Sequence, residues 1–208
     1  MAETEMLAGI WKYSLIGCLV CLSVMVNARD LTPEAFIAAG LEKQVSLGQA
    51  TTFNGVFISA RKSLLTSLVL LGQWRFLQDS IASNDFELQQ QELQLGYHLY
   101  GYGDVLWLFS LGGHRQQVKH DARGFHSTTS EYGLMAAIEG KYQFNFQHEL
   151  LFALEYREQQ DHERYGFRSG YYYRPALHWQ FGVNLTLGYH HKFDHDLNEY
   201  RLIVRYLF

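Results

Sequence analysis

Downstream of Lys62 the chain falls into segments of about ten residues in which apolar side chains alternate with polar or small ones, the pattern of strands with one face in hydrocarbon and the other turned inward. The last segment is the clearest: Tyr200, Leu202, Val204, Tyr206 and Phe208 interleave with Glu199, Arg201, Ile203, Arg205 and Leu207. Upstream, Leu185, Leu187 and Tyr189 oppose Asn184, Thr186 and Gly188, and Tyr171, Tyr173, Leu177 and Trp179 oppose Tyr172, Arg174, His178 and Gln180. Leu150, Phe152 and Leu154 face away from Glu149, Ala153 and Glu155, and Tyr132, Leu134 and Ile138 from Glu131, Gly133 and Glu139. Val105, Trp107, Phe109 and Leu111, then Leu93, Leu95, Tyr97 and Leu99, give two more apolar faces, and Leu64 to Phe76 alternates least clearly. The pattern predicts an all-β protein, a transmembrane antiparallel up-and-down β-barrel of about eight strands over residues 63–208.

Connections alternate in kind. Gly101-Tyr102-Gly103-Asp104, Phe144-Asn145-Phe146 and Phe181-Gly182-Val183-Asn184 read as tight turns. Residues 77–87, 115–130, 158–169 and 194–198 read as polar loops. In barrels of this kind the tight turns face the periplasm and the longer loops the exterior. Tyr, Phe and Trp collect towards the segment ends with aliphatic residues between them, as two interfacial girdles require; Tyr171 and Tyr173 are expected at the loop end.

Two stretches precede this region. Residues 13–26 (YSLIGCLVCLSVMV) are too short for a spanning helix and suit the core of a signal peptide over residues 1–28, cleaved after Ala28, with Met6 as an alternative start to Met1. The Leu15-Ile16-Gly17-Cys18 run offers a lipoprotein alternative. Both cysteines, Cys18 and Cys21, lie inside this stretch, so the mature chain would carry no thiol. Residues 29–62 read as a periplasmic or plug segment: Thr32-Pro33-Glu34 is a helix start leading into Ala35 to Leu41, a short helical or irregular element. The alternative is a hairpin within Val45 to Ser59, which would raise the strand count to ten.

Composition narrows function. A net charge of -4, with 18% charged residues, leaves no basic surface for nucleic acid. The aromatic load of 14 Tyr, 14 Phe and 4 Trp against 2 Pro suits strands. A mean hydropathy of -0.17 is also what an alternating barrel averages to.

Candidate chemistry comes in three groups. Alternation turns Glu92, Glu139, Glu149, Glu155 and Glu199 inward with Lys141, Arg157, Arg174, Lys192, Arg201 and Arg205, either as an ion path or as ion pairs filling a closed lumen; the pairing is favoured because isolated buried charges are expensive. His190, His191 and His195 with Asp194 and Asp196 form a local cluster of metal-ligand types, but alternation separates His190 from His191, so no metal site and no cofactor are expected. His126 and Ser127, with Glu131 nearby, are the best raw material for nucleophilic catalysis.

The terminal strand Tyr200, Leu202, Val204, Tyr206 and Phe208 resembles the C-terminal assembly signal of outer-membrane proteins, and the region from about Leu64 resembles small barrels of the OmpA/OmpX type. The resemblance implies export to the outer membrane of a Gram-negative bacterium. It also implies contact with periplasmic chaperones and the assembly machinery during biogenesis, and a monomer among membrane lipids and lipopolysaccharide. The function expected is envelope integrity or surface contact through the loops. His126, Ser127 and Glu131 resemble the residue types of barrel-shaped lipid A deacylases, but there the His and Ser are separated by one intervening residue on a lipid-facing strand, and here they are adjacent in a loop. A lipid A-modifying enzyme and a narrow channel are the alternative functions.

Overall fold

The computed structural model describes residues 35–46, 51–81, 84–100, 105–122, 125–159, 162–190 and 195–208. The expected signal peptide lies outside these residues. Ten strands close into one antiparallel barrel: β1 (Phe36–Ser46), β2 (Thr51–Ser63), β3 (Leu68–Ile81), β4 (Asn84–Tyr100), β5 (Val105–Ala122), β6 (Phe125–Gln143), β7 (His148–Gln159), β8 (His162–Ala176), β9 (Trp179–His190) and β10 (His195–Leu207). Each strand pairs with its sequence neighbours, and β1 closes on β10 from Phe36↔Leu207 to Ser46↔Leu197. The ring is all-β; among the described residues there is no helix.

The strand count is ten, the expected alternative, and the favoured eight is corrected. Residues 36–46 and 51–63 form two barrel strands, which also corrects the plug segment and the helix over Ala35 to Leu41. The cause is visible in β1. Its inward residues begin with Phe36 and Ala38, and its outward ones with Ile37, Ala39 and Leu41, so the first half of the strand is apolar on both faces. Period-two contrast vanishes there, and FIAAGL passes for a helix. In β3, inward Val69, fully buried, blurs the alternation in the same way.

The tight-turn end carries Ala35 and Phe208, the bends at residues 64–67 and 144–147, and the β8–β9 turn at Leu177-His178. Asn145 shapes its bend by accepting hydrogen bonds at Oδ1 from the Gln147 and His148 amides at 2.9 and 3.0 Å. The turn expected at 181–184 is instead part of β9. Pro175 lies where β8 loses register with β9, between Tyr173 and Ala176, the irregular place a strand proline occupies. Tyr173 therefore pairs with His148 at the tight-turn end, which corrects the loop-end placement of Tyr171 and Tyr173.

Outward side chains form the apolar belt. Leu41, Val56, Leu93, Leu111, Leu134, Leu154, Leu187 and Leu202 are exposed along it. At the tight-turn end Tyr206 meets Trp179 and Phe208 edge to face, each at 5.1 Å between centroids, and Trp107 meets Phe152 at 5.3 Å above Gly140. A Cβ on Gly140 would lie 2.2 Å from the Phe152 ring, so the glycine is a seat for that aromatic. The assembly-signal residues Tyr200, Leu202, Val204 and Tyr206 are exposed on this outer surface.

Gly182 has the same role inside. A Cβ there would lie 2.2 Å from the ring of Tyr172, which is fully buried and held beneath the Arg205 guanidinium at 3.6 Å. Gly182→Ala is expected to lower stability by about 1–3 kcal/mol through overpacking. Tyr172→Leu in the same background should recover part of the loss. Urea unfolding of the purified barrel, followed by gel mobility without heating, measures both, and an equally stable Gly182→Ala protein would refute this packing role.

Candidate functional site: a filled lumen and a projecting wall

The lumen is filled in layers. At the tight-turn end Phe36, Ala38, Phe57, Leu151, Tyr172, Ile203 and Leu207 pack as an apolar cluster. Arginines lie on its rings: Arg205 is 4.6 Å from the centroid of Phe36, and Arg201 is 5.3 Å from that of Phe57. A cation over a ring face is attracted by the ring quadrupole, and more strongly when desolvated. These contacts join the apolar layer to the charged one.

Above it the ion pairs fall into three groups. In the first, Arg75 on β3 pairs with Glu42 on β1, lies 3.2 Å from Glu199 on β10, and donates to Gln90 at 2.9 Å. Arg201 adds contacts of 3.2 Å to Glu42 and 3.1 Å to Glu199, and Arg164 one of 2.5 Å to Glu199. In the second, Arg157 reaches Glu92 and Glu155 at 3.1 and 3.3 Å, Arg168 reaches Glu155 and Glu139 at 3.1 and 3.2 Å, and Arg61 reaches Glu139 at 2.7 Å. The third joins Arg205 and Lys141 to Glu149 at 3.4 and 4.0 Å, with Gln180 accepting from Arg205 at 3.1 Å. Opposite walls are thereby tied across the interior, and the cavity left within it is only about 90 Å³.

Most of the sequence-predicted lumen residues take part. Glu92, Glu139, Lys141, Glu149, Glu155, Arg157, Glu199, Arg201 and Arg205 all carry ion pairs in this network. Arg174 instead sits over the Phe146 ring at 5.3 Å, at the tight-turn end, and Lys192 lies outside the described residues. Glu42, Arg61, Arg75, Arg164 and Arg168 were not anticipated, since they lie in stretches read as plug, unclear strand or loop. Arg75, 1% exposed, contacts Glu42, Glu199 and Gln90. Its signal was present in the alternation of Gln73, Arg75 and Leu77 with Trp74 and Phe76.

The opposite end departs from the expected loops. Within the stretches 77–87, 115–130 and 158–169, all the described residues are strand. β4, β5 and β6 run to 17, 18 and 19 residues, against 11 and 13 for β1 and β2. β6 joins β7 only from Met135↔Arg157, so Phe125 to Leu134 is paired with β5 alone among the described strands. β3 stays paired with β4 as far as Ile81↔Asn84, so a wall of β3 to β6 rises past β7, and its β6 edge above Gly133, where the Glu158 backbone lies close, has no partner among the described strands.

The wall is polar outside: Lys119 pairs with Glu87 at 3.2 Å, Arg115 lies 5.7 Å from the Tyr132 ring centroid, and Asp121 accepts from His126. On its inner face Phe86 and His120 stack at 4.3 Å, Leu88 is buried, and His114 Nε2 contacts the Glu158 carbonyl at 2.9 Å. The candidate catalytic residues separate here. His126 points outward, whereas Ser127, its neighbour on the same strand, points to the other face with Glu131; they cannot converge on one substrate atom. Of the metal-ligand cluster, the side chains of His190, His191, Asp194, His195 and Asp196 lie outside what the structure describes. Among the described residues no group of three His, Cys, Asp or Glu side chains is placed to hold a metal.

No family model matches the chain. No curated protein matches it either. Among solved structures, the translocator domain of the autotransporter NalP from Neisseria meningitidis is similar with a TM-score of 0.50 at 10% identity, over 97% of this chain and 98% of that one. Neisserial surface protein A matches with a TM-score of 0.48 at 13% identity, over 86% and 100%. The outer membrane protein OprG from Pseudomonas aeruginosa matches with 0.43 at 10%, over 86% and 97%. At such identities the likeness is one of fold, that of small outer-membrane β-barrels.

Removing one partner of a buried ion network leaves the other charge uncompensated. Arg75→Met is therefore expected to cost about 3–5 kcal/mol. The readout is the urea midpoint of the folded, unheated form. A midpoint within error of the parent would show that Arg75 does not hold the lumen together.

Proposed function

We propose that this protein is a non-conducting integral barrel of the bacterial outer membrane that presents the β3–β6 wall outside the cell as a protein-contact surface. The observation that carries the reading is the β6 edge from Phe125 to Tyr132, paired with β5 alone among the described strands and raised above a lumen closed by ion pairs and apolar side chains. The belt of outward aliphatics with aromatic ends suits a hydrocarbon slab, and the tight-turn end suits the periplasm. An unpaired edge offers backbone donors and acceptors to an extended segment of a partner, which adds as a further strand. Gln89, Gln117 and Ser130 line up across the outward face beside that edge and keep it wet. The deactivating geometry at His126 and Ser127 gives the deacylase alternative no support.

Two experiments test the two halves of this reading. Planar-bilayer recording should show no stable large conductance, and outer-membrane fractionation should show heat-modifiable mobility. Replacing residues 119–128 by an Asn-Gly turn should leave both unchanged, since the cut falls above the belt. Cells displaying the shortened barrel are expected to lose adhesion to immobilised extracellular protein that the intact barrel supports, at equal surface abundance. Equal adhesion would refute the contact role; a large steady current would refute the closed lumen.

A further inference from the structure

Where the wall leaves the apolar belt, its outward face changes character within two residues of each strand. Gly72, Leu93, Gly113 and Leu134 stand opposite one another across β3, β4, β5 and β6, and the next outward positions are Trp74, Gln91, Arg115 and Tyr132. Beyond these come Phe76, Gln89, Gln117 and Ser130. Side-chain amides and a guanidinium are thus flanked by aromatic rings, Trp74 stacked with Phe76 at 6.2 Å on one side and Tyr132 on the other. With neighbouring strands about 4.8 Å apart and successive outward residues about 6.6 Å apart, these two polar rows stand on a patch of roughly 14 Å by 7 Å.

Arg115 sets the charge preference of the patch. Each arginine of the lumen network meets a carboxylate, whereas exposed Arg115 meets none among the described residues. Its guanidinium lies 5.7 Å from the Tyr132 ring centroid. A planar fork steadied by a ring keeps its donors for an anion with several acceptor oxygens, such as a phosphate. Lys119, the other cation on this face, is already engaged with Glu87 at 3.2 Å. At the same end of β7 and β8 the sign is reversed, since the exposed outward residues there are Glu158 and Glu163, paired in register. An anion is therefore drawn to the β4–β6 side of the ring and repelled from the β7–β8 side.

The belt directly beneath is open. A Cβ at Gly72 or Gly113 would meet nothing closer than 3.9 or 3.6 Å, so packing does not demand glycine there as it does at Gly140 and Gly182. The backbone on either side of Leu93 is left bare below Gln91 and Arg115, where the chains of a lipid whose head lay on the patch would run.

We infer that this face binds a phosphorylated, acylated sugar of the outer leaflet, the lipid A head of lipopolysaccharide. Arg115 takes a phosphate, Gln89, Gln91 and Gln117 take sugar hydroxyls, Trp74 and Tyr132 pack against the sugar rings, and acyl chains descend past Leu93. A phospholipid would use the cation and the belt but leave the amides and rings idle; free phosphate would use Arg115 alone. The inference rests on the wall lying outside the cell, as proposed above. The lipid would then fix the base of the wall in the leaflet and leave the β6 edge above it to a protein partner.

The test is titration of the full mature barrel in non-ionic detergent with lipid A, with enzymatically dephosphorylated lipid A and with phosphatidylglycerol, read by native mass spectrometry. Lipid A is expected to bind best. Arg115→Gln should weaken it about tenfold, the scale of one lost charge-assisted contact, at unchanged heat-modifiable mobility. Gln91→Leu should weaken lipid A without affecting phosphatidylglycerol, and Lys43→Gln, which removes an exposed outward cation on β1, should change nothing. Equal affinities for parent and Arg115→Gln, for lipid A and its dephosphorylated form, or for lipid A and phosphatidylglycerol would overturn the proposal, as would displacement of lipid A by inorganic phosphate. Orientation is checked separately, by labelling Thr128→Cys on intact cells with an impermeant maleimide. No labelling would overturn the exterior wall and this proposal with it, whereas labelling with equal affinities would overturn this proposal alone.

Discussion

Every backbone N–H and C=O that enters hydrocarbon must find its partner within the protein, and for a chain of strands this requires a closed ring. The pairing of β1 with β10, from Phe36↔Leu207 to Ser46↔Leu197, meets that requirement, and the remaining structure is arranged around it. Closure at ten strands makes a wider interior than closure at eight, too wide for small side chains to fill. Arginine is long enough to cross it. Its planar fork of donors also engages two carboxylates at once, as Arg168 does with Glu139 and Glu155.

Ion pairs in the interior are not by themselves a source of stability, because desolvation offsets most of the attraction. Their value here is geometric. Glu199 on β10 contacts Arg75 on β3 and Arg164 on β8, so three strands that do not pair with one another share one carboxylate. An apolar filling would be indifferent to which strands faced each other across the lumen. The shared carboxylates specify it. The apolar cluster around Phe36 and Tyr172 does the complementary task at the tight-turn end, where closure also brings Phe208 N within 3.1 Å of the Ala35 carbonyl.

How much of this was legible in the sequence follows from where the two faces of a strand differ. In the middle of the belt the outer face is apolar and the inner one charged, so β10 could be read residue by residue, and Glu199, Arg201 and Arg205 were assigned inward from alternation alone. At the tight-turn end both faces are apolar, and β1 passed for a helix. At the far end both faces are polar, and the upper parts of β4, β5 and β6 passed for loops. Glycine misled for a related reason: Gly182 looked like a turn residue, but it is a strand position cleared for the Tyr172 ring. The charges that escaped, Glu42, Arg75 and Arg164, all sit in stretches where the local contrast was lost.

The wall and the belt treat the same liability in opposite ways. Within the belt the described strands form a closed ring, while from Phe125 to Tyr132 β6 is paired on one side only among the described strands. Exposed edges in natural proteins are usually blunted by proline, by lysine, by a bulge or by brevity. The segment Phe125-His126-Ser127-Thr128-Thr129-Ser130-Glu131-Tyr132-Gly133-Leu134 has neither proline nor lysine, and it is long. Its Ser and Thr side chains favour an extended backbone and keep it hydrated without blocking approach. Under the proposed contact role, that edge is where an extended segment of a partner would add its strand.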